Sequence, residues 1–181
     1  MSLRRDPLAD PRPLVERLYA YIAYQIGDGP DAEDVTSEAF ERAVRYRSSY
    51  DPRKGSPVSW LIGIARRCLA DRATRSVELT GTDGLEEQLA GPHDETQAAV
   101  TLTVRTLVAR LPERDRELVA LRYGADLTAR EIGALLDLQT NAVEVALHRL
   151  HRKLRGELAT ALERDAGVDV TRKGFGAATG M

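Results

Sequence analysis

The sequence predicts an all-α fold: two small helical domains joined by a flexible acidic linker. Three observations carry that prediction. Leu, Ala, Arg and Glu dominate, residues that lose little side-chain freedom in a helix, and strand-forming residues never gather into a sustained run. Apolar residues recur at spacings of three and four in two separate regions. Between those regions, "VELTGTDGLEEQLAGPHDET" (Val77 to Thr96) has no sustained period and is rich in Gly, Thr and acids, as a linker would be. A chain of 181 residues, 43% hydrophobic, can bury one core or two small ones. The expected boundaries are a first domain over 10–76, a linker over 77–97, a second domain over 98–160 and a tail over 161–181. The tail is Gly-rich and poor in large apolar side chains, so it is expected to be disordered.

In the first domain, "DAEDVTSEAFERAVRYRSSY" places either Val35, Ala39, Ala43 and Tyr46 or Phe40, Val44 and Arg47 on one helical face, with Asp34, Glu38, Glu41 and Arg45 on the polar side. That helix is expected to end near Ser48. "YDPRKGSP" then forces a loop through Pro52, Gly55 and Pro57, with Arg53 and Lys54 at its tip. "VSWLIGIARRCLADRATRS" resumes the helical period, turning Trp60, Ile64 and Cys68 or Leu61, Ala65 and Leu69 inward and leaving Arg66, Arg72 and Arg75 exposed or flanking. A basic loop that feeds a basic helix, with Tyr50 and Trp60 among the cations, is the combination that single-stranded or partly melted nucleic acid requires. Bases stack on the rings while the cations hold phosphates. Trp60 taken alone suits an ordinary core position better, and Cys68, the single cysteine, excludes an internal disulfide and reads as a small core residue.

The second domain is more explicit. "TLTVRTLVARL" spaces Val104, Leu107, Val108 and Leu111 by three and four, and "LPERDRELVALRY" restarts a helix with Pro112 in its first turn. Thr128 and Glu131 form a capping box, with Ile132, Leu135 and Leu136 as the inner stripe of the helix that follows. "LDLQTN" is a turn, beside which Gly133 lets two helices approach closely. Thr140 or Asn141 can cap the next helix, whose Val143, Leu147, Leu150 and Leu154 share a face. A capped helix, a short turn and a second helix ending in cations form a helix-turn-helix, whose second helix normally enters the major groove.

Charge points the same way. The net value is −2, yet Arg42 to Ser76 holds nine basic residues against Asp51 and Asp71, a local +7, between an acidic start and the acidic linker. The start "MSLRRDPLADP" lacks the apolar segment of a signal peptide and no apolar run is long enough to span a bilayer, so no membrane association is expected and the cytoplasm is the expected compartment. No phosphate-binding glycine loop and no nucleophile with an adjacent base is found, so an enzyme is not expected, nor a cofactor.

Together the two domains resemble an extracytoplasmic-function (ECF) sigma factor of the sigma-70 type. "DAEDVTSEAFERA" resembles the family's region 2 helix, "YDPRKGSPVSWLIGIARRCLADR" its loop and promoter-reading helix, and "LPERDRELVALRYGADLTAREIGALLDLQTNAVEVALHRLHRKL" its region 4. The resemblance implies core RNA polymerase as partner, with Asp34, Val35, Ser37, Glu38 and Arg42 docked on the beta-prime clamp and region 4 on the beta flap. It implies that Tyr50, Asp51, Arg53, Lys54, Ser56, Trp60, Arg66 and Arg67 take the melted minus-10 element. It implies double-stranded minus-35 reading by Thr128, Arg130, Thr140, Asn141, Ala142, Glu144, Val145, His148, Arg149, Arg152 and Lys153, and an anti-sigma factor as a further possible partner. Ser37 stands where the family usually has Gln, Pro57 where it has an aromatic, Arg67 where it has Asn, and Glu144, Val145 and Ala146 where Lys-Ser-Arg is common.

Glu144, His148 and His151 are spaced so that they could meet one ion, but a further ligand and an orienting shell are missing, so this flank is assigned to phosphate or water and no metal site is expected. Two alternatives use the same features differently: a stand-alone helix-turn-helix regulator, which leaves the first domain idle, and a polymerase-binding adaptor with weak promoter reading, suggested by Glu144 and Ala146.

Overall fold

The computed structural model describes the backbone of residues 6–80 and 103–173 and the side chains of 6–75 and 103–163. Among these residues every regular element is helical. The first module contains α1 (Pro11–Ile26), α2 (Pro30–Arg45), a 3-10 turn (Arg47–Ser49) and α3 (Pro57–Thr80). The second contains α4, described over 103–109, α5 (Glu113–Val119) running into a π turn (Ala120–Gly124), α6 (Ala129–Leu136) and α7 (Thr140–Lys173).

Three helices make the first core. Val35, Ala39 and Ala43 are the buried stripe of α2, whereas Val44 and Tyr46 are about half exposed, so the small-residue face is the inward one. It packs against Leu14, Leu18 and Ile22 of α1 and Leu61, Ile62, Ala65 and Cys68 of α3, with Trp60 and Leu69 partly buried at the edges. Burying each large aliphatic chain stabilises by about 1.5–3 kcal/mol. Pro at the first turn of α1 and α2 is pre-set for a helix start, and Gly27 and Gly29 adopt positive φ to turn the chain between them. Thr36, the one buried polar side chain among the described residues, donates to Ala32 O at 2.6 Å.

The second core is built from Val108, Leu111, Leu118, Leu121, Leu127, Ile132, Val143 and Leu150. α6 opens with the capping box: Thr128 Oγ1 accepts from Glu131 N, and the Glu131 carboxylate accepts from Thr128 N at 2.9 Å. It ends at Asp137 in the left-handed region (φ 56°). Leu138 N donates to Gly133 O at 2.8 Å, and a Cβ at Gly133 would lie 2.6 Å from Leu138 O. The close approach expected at Gly133 is therefore made with the carbonyl of the turn.

Boundaries differ from the sequence reading in four places. α2 stops at Arg45, short of Ser48, which lies in the 3-10 turn. α3 continues to Thr80, so 77–80 is helix and not linker; the rest of the linker, to 97, lies outside the described residues. Helix α7 starts at Thr140, with Gln139 O accepting its first bond from Val143 N, so the capping position is one or two residues before those expected. Helix α7 runs on past 161, where a tail was expected to begin, as far as Lys173, and 174–181 lies outside the described residues. "LATALERDA" consists largely of good helix formers attached to a helix already nucleated, and propagation adds a bond for each residue fixed.

The two cores are joined. α1 lies against the π turn and α5, and the buried residues form one apolar cluster from Leu14 to Leu150.

Candidate nucleic-acid interface

On the second module, the helix-turn-helix holds its inner residues by burial and thereby sets the outer ones. With Val143 and Leu150 buried and Leu147 and Leu154 half-buried, the helical period turns Thr140, Asn141, Ala142, Glu144, Val145, His148, Arg149, Arg152 and Lys153 outward, and all nine are exposed. Thr128 and Arg130 at the start of α6 are exposed beside them. His148 Nε2 accepts from Arg152 at 3.1 Å, while His151 lines an apolar groove with Leu150, Leu154 and Tyr24. The two histidines therefore serve different surroundings, and among the described residues no group of three or more His, Cys, Asp and Glu is placed to hold an ion.

The loop before α3 is organised by its own charges. Asp51 accepts from Arg53 N and Nε at 3.1 Å and Nη2 at 3.0 Å, and these bonds hold its carboxyl down at about 2. Arg53 itself stays exposed. Tyr50 donates to Gly55 O at 3.1 Å, and its ring meets Trp60 at a centroid distance of 5.6 Å and a tilt of 60°. Arg53, Lys54 and Arg67 are exposed, so the loop offers cations around a half-buried aromatic pair.

Several expected contact residues are placed otherwise. Val35 is only 2% exposed and belongs to the core, so it can position its neighbours but cannot touch a partner. Glu38 and Arg42 are half-buried and held between α2 and α3: Arg42 donates to Glu38 at 2.6 Å and to Asp71 at 2.9 Å. Asp34 and Ser37 are exposed. Ser56 and Arg66 are engaged by the second module. Ser56 donates to Glu131 at 2.7 Å, and Arg66 pairs with Glu117 at 3.1 Å.

Glu117 is a residue that the sequence reading did not single out. Its side chain is 16% exposed. It accepts from Tyr21 at 3.1 Å and from Gln25, both on α1, besides facing Arg66. Burial pushes the Glu117 carboxyl above its ordinary value, partly offset by Arg66 and the two hydrogen bonds. Burial and the adjacent Glu117 charge also push the Tyr21 phenol well up. At Glu131 burial alone would raise the carboxyl, but the bonds from Ser56, Thr128 and Ser59 more than offset it and hold it below its ordinary value. The available signal was "LYAYIAYQ": the hydroxyls of Tyr19 and Tyr21 need partners, and these are Asp28 and Glu117.

A helix-turn-helix with a cationic outer flank, joined in one chain to a helical module bearing a basic loop, defines a two-module DNA-binding protein. The description "Sigma-70 region 2" matches residues 12–77 and "Sigma-70, region 4" matches 101–154. The chain is 30% identical over 158 residues to the ECF RNA polymerase sigma factor SigW of Bacillus subtilis, covering 79% of this chain and 83% of that one. It is also 30% identical over 167 residues to the ECF sigma factor SigD of Mycobacterium tuberculosis, covering 87% and 77%. The chain belongs to the ECF family of RNA polymerase sigma factors. Among solved structures, the sigma factor RpoE in a complex with the anti-sigma factor NepR from Bartonella quintana shares the fold, with a TM-score of 0.67 and 15% identity over 81% of this chain and 92% of that one.

Proposed function

We propose that this chain binds core RNA polymerase and directs transcription initiation at a particular set of promoters in the cytoplasm, without a catalytic step of its own. The observation that carries it is the presence, in one chain and in order, of region 2 and region 4, each presenting an exposed polar surface on a packed core. The exposed face of α2 around Asp34 and Ser37 docks on the polymerase clamp, with Glu38 and Arg42 fixing its shape. Region 4 docks on the beta flap. Arg53, Lys54, Arg66 and Arg67 hold the phosphates of the melted minus-10 strand, with Tyr50 and Trp60 beside them. The α7 flank enters the minus-35 major groove. An anti-sigma factor is a further partner of this reading.

Transcription in vitro with purified core polymerase on a genomic DNA pool tests the proposal. Discrete start sites that appear only with this chain support it, and their absence overturns it. Asp34→Arg, which reverses charge at an exposed position, is expected to weaken core binding at least several-fold in a titration; unchanged binding would move the docking face elsewhere.

A further inference from the structure

The two reading surfaces of the proposed function are not both free, because region 4 is packed on region 2 through contacts that involve the minus-10 surface itself. Glu131 takes the hydroxyls of Ser56 and Ser59, at 2.7 and 3.5 Å. Glu117 takes the Arg66 guanidinium at 3.1 Å, and Arg66 also donates to Leu135 O at 3.5 Å. A carboxylate facing a guanidinium and hydroxyls presents the same anionic oxygens that a DNA phosphate would.

The contacts extend beyond that patch. Arg105 of α4 meets Asp28 at 2.7 Å, and Arg17 of α1 meets Asp126 at 3.1 Å. Gly124, in the π turn, has no side chain because there is no room for one: a Cβ there would lie 2.9 Å from Tyr21 Cα and N and 3.0 Å from Ala20 C. All three atoms belong to α1, so the crowding comes from the other module and not from the turn's own fold.

Geometry makes this arrangement incompatible with reading a promoter. Elements named minus-10 and minus-35 lie about 25 base pairs apart, roughly 85 Å of duplex at ~3.4 Å per pair. Modules in direct contact cannot reach both. We propose that the packed chain is a self-masked state, in which Glu117 and Glu131 of region 4 stand in for DNA phosphate on region 2 and must be withdrawn before the minus-10 strand can bind. The proposal rests on the functional reading above for the identity of the masked ligand, but not for the packing.

Two variants open the contact without touching the proposed DNA or polymerase surfaces. Gly124→Ala puts a methyl group into the α1 backbone, and Arg105→Glu sets like charges against each other at Asp28. Nitroxide labels at Val44→Cys and Ala134→Cys, both exposed, in a Cys68→Ala background report the distance between the modules. The parent should give one narrow distance, and both variants a broad, longer distribution. A fluorescent 12-nucleotide mixed-sequence single strand is the binding probe, and both variants should bind it at least fivefold more tightly than the parent. For Arg105→Glu that gain would run against the loss of one positive charge and the addition of one negative charge.

A parent already broadly distributed, or variants that keep the narrow distance, would overturn the self-masked state. Opening without tighter binding would overturn the masking. Failure of the functional reading looks different: an opened chain that yields no transcripts with core polymerase.

Discussion

Gly133 and Asp51 are two single residues on which local shape depends. At Gly133 a methyl group would sit 2.6 Å from the Leu138 carbonyl oxygen, a backbone atom that cannot swing aside. Gly133→Ala should destabilise region 4 by about 1–3 kcal/mol, the usual range for overpacking, read as a lower denaturation midpoint. Stability within error of the parent would mean that the turn relaxes freely. The glycine was legible in the sequence as a point of close approach, but its neighbour was not, because the left-handed turn at Asp137 brings in a carbonyl that no side-chain pattern records. At Asp51, the Arg53 side chain and backbone hold the carboxyl below its ordinary value, at about 2. A lowered value means that the loop's order is fully present above the ordinary aspartate range and is lost as pH falls through about 2. An NMR titration of the Asp51 carboxyl carbon should have its midpoint there; a midpoint near 4 would mean that the Arg53 contact is not kept in solution.

Among elements, the recognition helix makes the clearest claims. Its first turns present Asn141, Ala142, Glu144 and Val145, so the base-edge chemistry available is amide, methyl and carboxylate, without arginine to guanine. Affinity should come mainly from Arg149, Arg152 and Lys153 on phosphates, and replacing any one by Ala should lower the salt dependence of binding by about one unit of slope, evenly across sequences. Glu144→Lys should relax preference at one base pair, removing roughly 1–3 kcal/mol of discrimination, in a scan of upstream-element mutations. An unchanged profile would remove Glu144 from base reading. The start of α6 gives a stability counterpart: Thr128→Ala deletes one half of a capping box and should cost about 1 kcal/mol in denaturation. That box and the inner face of α7 were legible because both are local patterns in sequence. α1 was not singled out, since its apolar residues pack in two directions and blur a single stripe: Leu18 and Ile22 lie in the first core, while Tyr24 lines a groove with Val119 and Leu150.

For the whole molecule, the all-helical, two-module layout could be read from composition, periodicity and the aperiodic stretch between them, but the contact between the modules could not. Its bonds include Arg66 with Leu135, 69 residues apart, and Arg17 with Asp126, 109 apart, and single polar pairs at such distances leave no periodic trace. Gly124 is where this hidden contact becomes adjustable. When only a fraction of molecules is competent to bind, apparent affinity falls by that fraction. Side-chain volume at Gly124 therefore acts as a rheostat on the competent population: Ala, Ser and Val in succession should free progressively more of the chain and raise transcript output stepwise until every molecule is open. The missing methyl group would then be the setting of a graded dial, and promoter output could be tuned from a position that touches neither DNA nor polymerase.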